Sequence, residues 1–340
     1  MRLPKLTDGA AVALLCWLPT VACSSDPAAS SATAGSGGSG GSGAAAGAPA
    51  SGGAPARDPD SVVGNFIVEL KSATATLPGF TKLEGVVSDG PSVSNVVWDL
   101  VSRNTDCTLR KPRAPFCSVP CSGDDVCVED DQCATSPTRK NVGIVTLTGL
   151  GSTDIAITTS EPVNIYQLPG DLSLPFPPAV EGADLELSVS QGVFGPFSIA
   201  THMIAPLVSA GTVTIERGKL LTLTWEAPKE PSLSRIQVTL DISNHGGTKG
   251  KIECDVADSG SIEIPASLIS SLIDLGVGGF PVINLSRVAS GSTVIAPGKV
   301  TLQTLSSVVR DLVVTGFQSC NVDSECDSGT CIQKTKTCQN

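Results

Sequence analysis

Ten cysteines between positions 107 and 338, in a chain with only two histidines, constrain this sequence more than any other feature. They fall into three groups: Cys107, Cys117, Cys121, Cys127 and Cys133; Cys254 alone; and Cys320, Cys326, Cys331 and Cys338. Structural zinc asks for C-x2-C pairs or nearby histidine, and neither is present, so disulfides made in an oxidising compartment are the expectation. The last four cysteines allow three pairings among themselves, and the other six allow fifteen. An odd first group beside one distant cysteine implies that Cys254 bridges back into residues 107–133. The acidic residues near these cysteines, Asp124, Asp125, Asp130 and Asp131, then Asp323, Glu325 and Asp327, lack the ordered spacing of a calcium loop. They read as solvated loops, and no metal or other cofactor is expected.

The two remaining cysteines lie at the N-terminus. Arg2 and Lys5 precede an apolar stretch from about Gly9 to Leu18, with Cys16 inside it, and Thr20-Val21-Ala22-Cys23 follows. That is the order of an export signal, too short to span a bilayer as a mature helix. Val-Ala-Cys resembles the lipobox of bacterial lipoproteins, which implies lipidation of Cys23 and a signal over residues 1–23. Cleavage after Ala22 without acylation is the simpler alternative. From Pro27 to Ala56 every residue is Pro, Ala, Ser, Thr or Gly, so residues 24–58 read as a tether. Thirty such residues reach about 30 Å as a flexible coil. The G-x-S-x-G match at Gly37–Gly41 has no strand before it and no helix after it, so it carries no chemistry.

Past the tether, short alternating runs recur between Gly, Pro, Ser and Asn breaks. Phe66-Ile67-Val68-Glu69-Leu70, Leu185-Glu186-Leu187-Ser188-Val189 and Ile236-Gln237-Val238-Thr239-Leu240 are examples. Period 2 with one polar face predicts antiparallel strands packed on one side. The fold class expected is mainly β: two antiparallel, immunoglobulin-like β-sandwich units with small disulfide-rich segments. The first unit would span residues 59–210, with a cysteine-rich insertion at 107–140. The second would span 211–318, and a disulfide knot would close the chain at 319–340. Trp225 is the natural core plug of the second unit. One helix is expected, from about Ala266 to Leu275, with Pro265 at its first turn and Gly276 as its stop.

Cys121-Ser122-Gly123-Asp124-Asp125-Val126-Cys127 and Cys320-Asn321-Val322-Asp323-Ser324-Glu325-Cys326 share an acidic C-x5-C loop. Both resemble the small cysteine-rich repeats of secreted bacterial proteins, which are similar to the N-terminal repeat of Dickkopf proteins. Leu221-Thr222-Leu223-Thr224-Trp225, Ile252-Glu253-Cys254-Asp255-Val256 and Asp258-Ser259-Gly260-Ser261, followed by Ile264-Pro265-Ala266, resemble a group of uncharacterised myxobacterial-type secreted lipoproteins. These resemblances imply location and fold, and no activity.

Two stretches carry candidate chemistry. Asp258-Ser259-Gly260-Ser261 matches the signature of aspartic proteases, whose reaction needs two carboxylates sharing a proton. One copy is present, and a polar turn explains it equally. Asp241-Ile242-Ser243-Asn244-His245-Gly246-Gly247 offers a Ser, a His and an Asp. On one strand these three would point the same way, and a Gly-Gly turn accounts for the residues. His202, in an apolar segment, reads as a packed side chain. A net charge of −11 argues against nucleic acid and anionic lipid surfaces.

The expectation is a non-enzymatic binding or structural protein, exported to the cell envelope, outer membrane or cell surface, and held there by an N-terminal lipid. Its partner would be another envelope protein or a saccharide. An exported hydrolase using His245 or Asp258 is the alternative. With Trp17 in the signal, only Trp98 and Trp225 remain as tryptophans, which weakens a stacking platform for sugars.

Overall fold

Ile236, Val238 and Leu240 alternate with polar residues, so a pleated strand places all three on one face. In the computed structural model, which describes residues 61–73, 76–151, 153–170 and 172–339, the three are buried on the strand Arg235–Asp241. The signal, the lipobox with Cys23 and the tether lie outside the described residues. The protein is mainly β, and Ala266–Asp274 is its one α-helix among the described residues.

An eleven-stranded sheet organises the molecule. Its path runs Val97–Arg103, Cys107–Arg113, Lys251–Ala257, Arg235–Asp241, Val282–Ile295, Gly298–Val314, Val62–Lys71, Phe80–Val87, Ile165–Gln167, Thr159–Ser160. Val213–Ile215 joins as a further neighbour of Gly298–Val314. A four-stranded sheet orders Phe197–His202, Asp184–Val189, Val145–Thr148 and Ile155–Ile157, and Leu221–Thr224 pairs with Ser261–Ile264. Most pairings are antiparallel, as the alternation implies. Val62–Lys71 and Val213–Ile215 instead run parallel to Gly298–Val314. A parallel neighbour needs a long crossover, and the intervening chain supplies it in both cases.

Strands from both sides of residue 210 share the large sheet: Val62–Lys71 pairs with Gly298–Val314, and Cys107–Arg113 with Lys251–Ala257. Two separate cores nevertheless form. One gathers Phe66, Leu83, Tyr166, Leu187, Ile199 and Leu302; the other gathers Leu223, Trp225, Val238, Leu272, Leu285 and Leu312. Both press on the same face of the sheet. Along Val282–Ile295, the odd-numbered residues Ile283 and Leu285 enter one core, and Ala289 and Ile295 enter the other. The pairing of this strand with Gly298–Val314 keeps one register throughout, so period 2 holds that face constant.

The helix follows from its own spacing. Leu268, Ile269, Leu272 and Ile273 line one stripe and are buried, each worth roughly 1.5–3 kcal/mol against exposure. Pro265 stands at the N-cap, one step before the expected first turn, and Gly276 ends the run at φ +101°.

Among the described residues, five disulfides tie the fold. Cys107–Cys254 joins directly opposed residues of neighbouring strands, so the lone cysteine does reach back to the first group. The insertion pairs Cys117–Cys127 and Cys121–Cys133, and the terminus pairs Cys320–Cys331 and Cys326–Cys338. In both knots the first cysteine binds the third and the second binds the fourth. The third and fourth face each other across a two-stranded hairpin in each, Cys127 with Cys133 and Cys331 with Cys338. The residue two before the last cysteine has positive φ in both, Asp131 at 57° and Lys336 at 54°. This geometry shifts the likeness read from the C-x5-C loops by one cysteine: Cys117–Cys121, not Cys121–Cys127, corresponds to Cys320–Cys326.

Candidate functional site

Asp258 follows a strand whose alternate residues face the core, so its carboxylate is carried inward, and the residue is 0% exposed. A buried carboxylate must be fully hydrogen-bonded or neutralised, and here it is both. Oδ1 accepts from Trp225 Nε1 at 2.7 Å and Arg287 Nη2 at 3.2 Å; Oδ2 accepts from Ser234 Oγ at 2.7 Å and Arg287 Nε at 2.5 Å. Arg287 spends its other N–H groups on the carbonyls of Ala205, Pro206 and Glu226, so all five guanidinium donors are engaged. Ser306, the cross-strand partner of Arg287, accepts from the Leu207 N–H, and Thr304 donates to the His202 carbonyl. These groups form a polar septum between the two cores. Asp258 is its centre, sealed from any substrate.

The second candidate stretch begins where the strand Arg235–Asp241 ends, so its residues do not project together from one strand. Asp241 Oδ1 accepts from the Ser243 N–H at 2.8 Å and from its hydroxyl at 3.1 Å. Ser243 Oγ in turn accepts from the Lys249 N–H at 2.9 Å, and the residue is buried. Asp241 and Ser243 therefore fasten a turn, a use the side chains of Asp and Ser commonly serve. His245 sits exposed at the tip with φ +61°. Among the described residues, no hydrogen bond joins it to Ser243 or Asp241. His202 is not packed as the apolar segment suggested: its side chain is 44% exposed, with Nδ1 3.2 Å from Asp184 Oδ1.

The turn has a structural partner. Asn244 O accepts from the Phe280 N–H at 2.7 Å, Ile242 O from Gly278 at 3.0 Å, and Thr335 O of the terminal knot from Gly279 at 2.6 Å. Backbones approach so closely here that a Cβ on Gly279 would lie 1.8 Å from Asn244 O. Beside this junction lies a cleft of about 290 Å³. Val277, Phe280, Pro281, Leu312 and Phe317 make it largely apolar, and Asp311, Ser319 and Thr337 add polar groups. The sequence carried a faint signal for it, because Gly278-Gly279-Phe280-Pro281 breaks the pattern between helix and strand.

The knots are chemically quiet. The Sγ atoms of Cys117, Cys121 and Cys127 gather within 4.8 Å, as do those of Cys320, Cys326 and Cys331, but every one belongs to a disulfide and offers no thiolate. The acidic loop of the first knot is structural. Asp130 accepts from the Phe116 N–H and pairs with Arg113, and Asp131 accepts from the Ser118 hydroxyl and N–H. These bonds hold both carboxyls below the ordinary aspartate value. Of the two tryptophans in the body, Trp225 is buried, and Trp98 is covered by Lys251 Nζ 4.1 Å from its ring centre.

No family model matches the chain, and no curated protein matches it.

Proposed function

We propose that this chain is an exported lipoprotein of the cell envelope, held at the outer membrane or cell surface by acylated Cys23. Its body is a non-enzymatic binding or structural module whose partner is another envelope protein or a saccharide. The observation that carries this reading is the use of Asp258. The best protease-like motif in the sequence supplies a carboxylate whose two oxygens are consumed by Arg287, Trp225 and Ser234 inside the protein. Five disulfides support export, since such bonds persist in oxidising compartments. The resemblance to myxobacterial-type lipoproteins and to Dickkopf-like repeats points the same way. In this reading the two cores are two immunoglobulin-like sandwich units fused through the shared sheet.

Hydrolysis assays test the reading. The chain without its signal, offered a broad panel of esters, peptides and glycans, is expected to turn over none of them. Turnover that is lost in His245→Ala or Asp241→Asn would overturn the non-enzymatic reading in favour of a hydrolase. Asp258→Ala is unsuited to this assay because it removes a buried partner of Arg287. Pull-down from envelope fractions, with and without residues 24–58, separates a binding module from a passive spacer.

A further inference from the structure

One segment, Ile155-Ala156-Ile157-Thr158-Thr159-Ser160, serves two sheets. It starts as the strand Ile155–Ile157 of the four-stranded sheet and ends as Thr159–Ser160, the last strand in the path of the large one. Period 2 sends Ile155 and Ile157 into the core and leaves Ala156 and Thr158 outside. Thr159 then pairs with Tyr166 and Ser160 with Ile165, and Gln167 follows Tyr166 toward Thr158. Where the segment passes between the sheets it borders a recess of about 440 Å³. Thr158, Thr159, Ser160 and Gln167 give this recess hydroxyl and amide groups, and Leu168 and Pro169 give it an apolar wall. Thr158, Ser160 and Gln167 are exposed, and Thr159 is half-buried. Among the described residues, none of these four side chains has a hydrogen-bond partner, so their donors and acceptors are uncommitted. No residue lining the recess is charged.

We propose that this recess binds a neutral saccharide. The proposal rests on the binding-module reading above and assigns its partner. A sugar hydroxyl both donates and accepts, as the threonine and serine hydroxyls do, and the Gln167 amide offers two donors and an acceptor. Leu168 and Pro169 supply a surface for the C–H face of a sugar ring. A charged ligand would lose hydration here without meeting an opposite charge. The volume lies within the roughly 300–1,000 Å³ of small-molecule sites. No aromatic residue lines the recess, so hydrogen bonds rather than stacking carry the recognition. The scarcity of tryptophan in the body therefore does not weigh against it.

The test is an NMR titration of the isotope-labelled chain, without its signal, with maltotriose, cellotriose and chitotriose as neutral probes. Trigalacturonate and fully deacetylated chitotriose are the charged controls. A neutral trisaccharide is expected to shift the amides of residues 158–160, 167, 168 and 170 along a saturating curve. Its affinity should stay within about twofold when salt is raised from about 0.1 M to about 1 M, because no ion pair is there to be screened. The charged controls should bind more weakly. Gln167→Ala should weaken binding by about five- to tenfold while keeping the dispersed spectrum of a folded chain. Thr158→Val combined with Ser160→Ala alters two exposed side chains and should weaken it by at least as much. Saturation by none of the neutral probes, shifts confined to another part of the molecule, or tighter binding of a charged control would overturn the assignment. So would unchanged affinity in both variants. Loss of this assignment leaves the non-enzymatic reading intact, because that reading falls on turnover in the hydrolysis assay.

Discussion

Arg287 and Asp258 meet in the interior, Nε 2.5 Å from Oδ2, with side chains 1% and 0% exposed. Neither has an unmet hydrogen-bonding group, because the guanidinium also reaches three carbonyls and the carboxylate also takes Trp225 and Ser234. Such a pair holds strands, a linker and a tryptophan in one arrangement. It also separates two apolar cores that would otherwise merge on one sheet face.

Removing one partner should therefore be severe. Asp258→Ala is expected to cost about 3–5 kcal/mol in urea unfolding, because it leaves the Arg287 charge buried and unpaired. Replacing both partners by apolar residues of similar volume should recover much of that loss. A single variant as stable as the parent chain would contradict the septum as described.

The Cys107–Cys254 bridge closes a loop of 147 residues. In the chain-entropy model that length is worth about 5 kcal/mol, by restricting the unfolded chain. Cys107→Ala combined with Cys254→Ala should lower the unfolding free energy by up to that amount, with the β-rich circular dichroism retained under native conditions. Peptide mapping without reductant should recover the two cysteines linked. Free thiols at both positions would rule the bridge out.

The first knot should loosen in acid. Phe116 N–H and Arg113 lower the Asp130 pKa, and the Ser118 hydroxyl and N–H lower that of Asp131, both from 3.8. A carboxyl with a depressed folded pKa adds stability that is complete above its unfolded value and lost as pH falls through the folded one. The amide signals of Phe116 and Ser118 should thus titrate with midpoints below 3.8. Midpoints above that value would contradict these bonds.

Gly279 tests how the terminal knot docks. Its φ is +59°, and a Cβ there would collide with Asn244 O. Gly279→Ala should cost about 1–3 kcal/mol locally and speed hydrogen exchange around Thr335 to Cys338, leaving the central strands protected. Unchanged exchange in the knot would show that it is held by other contacts.

Local features of this fold were legible because short-range physics sets them. Leu268, Ile269, Leu272 and Ile273 announce their helix, and Ile236, Val238 and Leu240 their strand. An odd cysteine count sends Cys254 to the first group. Long-range order was not written locally: nothing around Phe66 tells that its strand will lie parallel to Leu302. The sites were least legible of all. Asp258-Ser259-Gly260-Ser261 looks catalytic until Arg287, distant in sequence, arrives to consume its carboxylate. The knots share a pairing pattern that spacing alone misaligned by one cysteine, because the loop lengths vary while the order of pairing and the facing of the last two cysteines do not.

The account rests most heavily on where the chain is fixed. Mass spectrometry of the mature N-terminus, on protein taken from the membrane fraction of its native host, is the direct measurement. The predicted result is a chain beginning at Cys23 and carrying the added mass of acyl groups, with Cys23→Ala shifting the protein to the soluble fraction. An unacylated chain cleaved after Ala22 would contradict it.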